Sequence, residues 1–186
     1  MRYIINNKKY NIYNMINLTV FCSGKHDLKQ DYIDEIDSLV KQLDSNKVAI
    51  VYGGGTVGLM GVVRNAFSGK IITSNMHIFK DDKYEDDYLF DNITERQKKL
   101  VDLGNAYLIL PGGFGTLFEL LEVTTKNQIG ESSKPIFIFN YKGIYDNLLL
   151  QIKKLQEEGF IKHSLEHYKL SIHTDKAELA KSINAL

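Results

Sequence analysis

Two glycine-rich stretches hold the residue types best suited to chemistry: Gly53-Gly54-Gly55-Thr56-Val57-Gly58-Leu59-Met60-Gly61 and Pro111-Gly112-Gly113-Phe114-Gly115-Thr116. Each lies between a short apolar, β-branched run and a stretch of helical spacing, so each reads as a strand-to-helix loop. Glycine, lacking a Cβ, lets backbone approach a ligand closely, and the first turn of the following helix supplies unpaired N–H donors. Together the two loops would cradle a phosphate with backbone alone. Neither is the full dinucleotide fingerprint, a glycine turn followed by an acidic residue about twenty positions on, and neither has the Gly-Lys-Ser/Thr of a triphosphate loop. Dehydrogenase and ATPase chemistry therefore lose support.

The elements that must position these loops follow from periodicity. Leu18–Cys22, Val48–Tyr52, a short stretch near Ile71-Ile72, Ala106–Leu110, Ile136–Asn140 and Leu170–Ile172 read as strands. Amphipathic spacing predicts helices over Tyr32–Leu43, Gly58–Ser68, Thr116–Lys126 and Tyr145–Glu158, and a last one opened by Thr174 or Asp175. Continuous apolar runs such as Ala49-Ile50-Val51-Tyr52 suit strands covered on both faces, and crossovers of this length suit parallel neighbours. The expected fold is α/β, a doubly wound, mainly parallel sheet with helices on both faces and ligands beyond the strands' carboxyl ends. Residues 1–16 read as an amino-terminal arm or edge strand. Phe79–Asn92, rich in acids and without a steady period, reads as a surface loop or lid whose charge serves solvation.

Composition narrows the function classes. The 186 residues carry 23 basic and 23 acidic side chains, so the formal net charge is zero. That argues against a broad footprint for nucleic acid polymers. One domain is expected over 1–186. A lone Cys22 cannot form an internal disulfide, no window approaches the roughly 18 apolar residues of a membrane span, and the start has no signal-peptide pattern, so the cytoplasm is the expected compartment.

Pro111-Gly112-Gly113-Phe114-Gly115-Thr116-Leu117-Phe118-Glu119 resembles the PGGxGTxxE motif of the LONELY GUY (LOG) family, whose members were often labelled lysine decarboxylases. Val51-Tyr52-Gly53-Gly54-Gly55 through Gly58-Leu59-Met60-Gly61 is similar to the family's YGGGxxGLMG signature. Val20-Phe21-Cys22 resembles its first strand, and Lys134-Pro135, Asn140, Gly143, Tyr145-Asp146 and Gly159-Phe160 its carboxyl-terminal half. The likeness covers about residues 17–162. It implies a Rossmann-like fold, a homodimer, no cofactor, and hydrolysis of the N-glycosidic bond of a nucleoside 5′-monophosphate, cytokinin riboside monophosphates being the best-known substrates.

Breaking a ribosyl–nitrogen bond builds positive charge on the sugar, so the reaction needs a carboxylate, a positioned water and a grip on the departing base. By the resemblance Glu119 is that carboxylate, and Arg96 matches the arginine of the family's MHxRK segment. A guanidinium stays protonated, which casts Arg96 as an electrostatic group and hydrogen-bond donor. Gly112, Gly113, Gly115 and Thr116 should bind phosphate; Gly53, Gly54 and Gly55 should line the opposite wall; Ser23 or Gly24 should touch sugar or base. Without the resemblance, Glu119 would be a favourable acid near a helix start and Arg96 a solvated helix-surface residue.

The chain also departs from the family pattern. Thr94 and Gln97 replace the usual histidine and lysine, Phe118 a frequent glutamate and Lys126 a common tryptophan, and the first loop reads Cys22-Ser23-Gly24. These changes leave the identity of the base open. They also favour the alternative of a non-catalytic nucleotide-sensing or molybdenum-cofactor-carrier-like protein on the same scaffold. The histidines share no metal-ligand spacing; His163 and His167, four apart, would be a surface pair on one helix face. Cys22 reads as a buried inert thiol, and no lysine has the setting of a pyridoxal Schiff base.

Overall fold

The computed structural model describes residues 2–5, 8–11 and 15–186. Arg2–Ile5 (β1) and Lys8–Asn11 (β2) pair antiparallel in a separate two-stranded sheet. Among the described residues the expected arm thus adds no edge strand to the main sheet, while Ile16 already belongs to β3; the rest of the arm lies outside the described residues.

The main sheet comprises β3 (Ile16–Phe21), β4 (Val48–Tyr52), β5 (Ile71–Met76), β6 (Tyr88–Phe90), β7 (Ala106–Ile109), β8 (Ile136–Phe139) and β9 (Leu170–His173). Its order is β6-β5-β4-β3-β7-β8-β9, and every pairing is parallel. Side chains alternate along each strand, so two cores form. Leu18, Val20, Ile50 and Leu108 pack beneath α1 (Gln30–Val40), α2 (Gly58–Ala66) and α6 (Lys176–Asn184). Phe21, Val51, Ile109 and Ile138 pack beneath α3 (Ile93–Leu103), α4 (Phe114–Gln128) and α5 (Asp146–Glu157). The expected doubly wound α/β architecture is the one observed. The chain leaves β3 toward β4 on one side and returns past it to β7 on the other. Beyond the carboxyl ends of β3, β4 and β7 it therefore places the Cys22 loop and both glycine loops, at the reversal of strand order where such sheets hold ligands.

Four elements differ from the sequence reading. β5 runs on to Met76 through the buried polar residues Thr73, Ser74 and Asn75. Their partners are the acids of the following segment: Asp87 accepts from Thr73 N–H at 2.8 Å, and Asp86 accepts from Asn75 Nδ2 at 3.1 Å. The acidic stretch therefore does more than solvate the surface, and it contains the edge strand β6 where only a loop was expected. α3 is a full helix, opened by Asn92, whose side chain accepts from Glu95 N–H at 2.9 Å. α4 begins at Phe114, so Gly115 and Thr116 sit in its first turn.

Candidate active site

Arg96 stands in the first turns of α3 and Glu119 in the second turn of α4, on neighbouring helices over the same sheet face. Their side chains meet: Arg96 Nη1 lies 3.2 Å from Glu119 Oε1, and the two side chains are 13% and 9% exposed. Arg96 is aimed by its other contacts. Its Nε donates to Ser74 O at 3.0 Å, and Ser74 Oγ donates back to Arg96 O at 3.3 Å. The guanidinium also crosses Gly53, where a Cβ would stand 2.0 Å from Nη2. A side chain at Gly53 would therefore push the Arg96 guanidinium away from its present contacts with Ser74 and Glu119.

Glu119 is held between opposing effects. Its carboxyl stands at about 7: burial pushes it up, the Arg96 guanidinium pulls it partway back, and Glu122 adds a smaller upward push. The desolvation penalty on the charged form exceeds the stabilisation from one hydrogen-bonded cation. Gln97 makes a neutral bridge beside the pair: its Oε1 accepts from Arg96 Nη1 at 3.3 Å, and its Nε2 donates to Glu122 at 2.9 Å. Ser74, Gln97 and Glu122 were not singled out as positioning residues in the sequence. The one signal was Gln97, noted as a departure from the family pattern.

The second glycine loop is fixed from below. Tyr145 Oη donates to Leu110 O at 2.6 Å, and Asn140 Oδ1 accepts from Tyr145 N–H at 2.8 Å. Thr116 is buried, and a Cβ on Gly112 would meet its Oγ1 at 2.1 Å. Gly113 and Gly115 face open space, so the first-turn N–H groups of α4 are approachable by a ligand.

Two hollows flank the loop that follows β3. One, of about 370 Å³, is walled by Gly24, Gly53, Gly55, Thr56, Met60, Met76, Phe79, Ile93 and Arg96. The other, of about 490 Å³, is walled by Ser23, Lys25, Lys29, Tyr32, Pro111, Gly112 and Gly113. Ser23 and Gly24 therefore face different hollows. Gly54 lines neither: at φ 79° it turns toward Asn75 and Asp86. A larger hollow of about 610 Å³, bounded by Tyr107, Lys126 and Lys134, lies at the strands' amino ends, away from this chemistry.

The other groups fall outside the site or stay inert. Cys22 is buried, and desolvation, helped by the charge of Glu119, pushes its thiol up. His163 and His167 stack with ring centroids 3.9 Å apart, but in a turn segment after α5 rather than on a helix face. No helix among the described residues is long and apolar enough to cross a membrane.

Comparison with known proteins places the chain. A family model described as "Possible lysine decarboxylase" matches residues 45–183. The chain is 35% identical to cytokinin riboside 5′-monophosphate phosphoribohydrolase LOG1 of Arabidopsis thaliana, covering 89% of this chain and 81% of that protein. It is 34% identical to LOG3 of the same plant, covering 89% and 80%. Among solved structures, the molybdenum cofactor carrier protein of Chlamydomonas reinhardtii superposes with a TM-score of 0.64 at 15% identity, over 92% of this chain and 97% of that one, a likeness of fold. With relatives of that identity over most of both chains, and its motif residues gathered at one end of the sheet, the chain belongs to the LOG family.

Proposed function

We propose that this protein hydrolyses the N-glycosidic bond of a nucleoside 5′-monophosphate, of the cytokinin riboside type, releasing free base and ribose 5-phosphate. The observation that carries the reading is the buried Arg96–Glu119 pair beside the PGG loop, in a chain whose relatives bear that activity in their names.

The 5′-phosphate sits on the α4 N-terminus, taking first-turn N–H groups and the hydroxyls of Thr116 and Ser23. The base occupies the hollow walled by Met60, Met76 and Phe79. Glu119, between them, contacts the ribose hydroxyls, stabilises the cation that grows as the C1′–N bond breaks, and directs water to C1′. The bonding pair leaves with the base, which takes up the proton balance of the water, while water's oxygen becomes the anomeric hydroxyl. Arg96 holds Glu119 in place and places positive charge where the departing base gathers electrons.

The outer face of α4 supports a homodimer. Phe114, Phe118, Leu121 and Ile129 recur at helical spacing and are 93%, 56%, 50% and 67% exposed. A second copy of the chain would cover this stripe. The protein would work in the cytoplasm, where Cys22 stays a thiol.

The test is incubation with a panel of nucleoside 5′-monophosphates, cytokinin ribotides included, with free base followed by chromatography. Release that disappears in Glu119→Gln supports the reading. No release from any member of the panel sinks it in favour of a binding protein on the same scaffold.

A further inference from the structure

The loop joining β3 to α1 is tied to both sides of the site. Ser23 N–H donates to Pro111 O at 3.2 Å, which joins it to the PGG loop, and Met60 N–H donates to Ser23 O at 3.2 Å, which joins it to α2. Ser23 Oγ accepts from Lys25 N–H at 3.1 Å and sets the direction in which the chain continues. Asp27 then turns through the left-handed region at φ 58°, an unfavourable conformation for a residue with a Cβ. The result is a defined loop that brings Lys25 and Lys29 onto the wall of the 490 Å³ hollow shared with Pro111, Gly112 and Gly113.

Other lysines around α1 are neutralised. Lys41 pairs with Asp37, Lys142 with Asp31 and Lys176 with Glu35, while Asp34 accepts from Gln30. The carboxylates along α1 are thus already engaged. Among the described residues neither Lys25 nor Lys29 has a hydrogen bond or ion pair through Nζ; the charge of Lys29 reaches Asp31, whose carboxylate is already bonded to Lys142. Asp27 is the one acid on the hollow's wall, so two cations face one anion beside the phosphate loop.

We infer that Lys25 and Lys29 are specificity-determining binding residues that read the charge of a phosphate ester held at the PGG loop, so that a phosphorylated riboside is selected over a free one. The inference rests on the functional reading above and adds its charge discrimination. Backbone N–H groups fix where the phosphate sits. The lysines contribute long-range attraction, which neutral donors lack.

The experiment compares wild type with the double variant Lys25→Ala/Lys29→Ala, using ribose 5-phosphate in titration calorimetry and a nucleoside 5′-monophosphate against its unphosphorylated riboside in turnover. For two exposed charges the expected loss is about five- to thirtyfold in ribose 5-phosphate affinity, with a matching rise in KM. kcat and weak turnover of the riboside stay as in wild type, and affinity depends less steeply on salt. Lys25→Arg/Lys29→Arg restores binding, and Lys153→Ala, at an exposed site on α5, changes nothing. Equal affinity in wild type and the double variant overturns the role of the lysines alone. Wild type that neither binds ribose 5-phosphate nor turns over a monophosphate overturns the functional reading and this inference with it.

Discussion

Replacing Glu119 by Gln should abolish turnover and yet stabilise the fold at neutral to alkaline pH. Burial holds the carboxyl at about 7 in the folded protein against an ordinary 4.5. Such a raised value means that the folded state binds the proton more tightly than the unfolded chain. Its favourable contribution is therefore complete below about 4.5 and is lost as pH rises through about 7. That span corresponds to about 3 kcal/mol of pH-dependent free energy. The amide of Gln cannot ionise and escapes the loss. The stability gap between variant and wild type should therefore widen by about 3 kcal/mol from pH 4 to pH 8, or about 6–12 °C in Tm for a domain of this size. Urea denaturation of both proteins across that range measures it, with Tm as a check. A gap that is flat, or that narrows as pH rises, would refute the reasoning, because it would mean that attraction to Arg96 matches or outweighs desolvation. In wild type, the same titration should make kcat/KM rise through about pH 7 as the carboxylate forms.

Thr116→Val keeps the shape of a buried residue and removes a hydroxyl from the phosphate site; ribose 5-phosphate affinity should fall about tenfold to a hundredfold by calorimetry, with little change in Tm. Tyr145→Phe leaves Leu110 O without its 2.6 Å partner beneath the PGG loop and should cost about 1–3 kcal/mol in urea denaturation. By the proposed dimer, wild type should sediment as a dimer in sedimentation velocity, and Leu121→Glu, which places a charge in the middle of the apolar α4 stripe, should shift it to monomer.

Much of the fold was legible because its signals are local. Strands such as Val48–Tyr52 announce themselves as continuous apolar runs, and the observed bounds match. β5 was read short at Ile71-Ile72 because Thr73, Ser74 and Asn75 are polar; they are buried only because Asp86, Asp87 and Arg96 come to them from later in the chain. β6 was missed for the same reason: three residues inside an acidic stretch become a strand only when β5 is there to pair with. The resemblance singled out Glu119 and Arg96, but not what they do to each other.

The sequence by itself determined the alternation of strands and helices, the placing of both glycine loops at strand ends and the net neutrality that leaves room for one small anionic ligand. Those properties depend on composition, period and short-range sterics. Only the tertiary structure decided that Arg96 and Glu119 form a buried pair, that the space at Gly53 belongs to a guanidinium, and that Gln97 links Arg96 to Glu122. It also decided that Lys25 and Lys29 line the hollow beside the PGG loop with, among the described residues, no ion pair of their own. These contacts join residues on different elements, and their energies depend on burial. Desolvation exists only once α3 and α4 have packed on the sheet and excluded water, so no spacing rule along the chain encodes it.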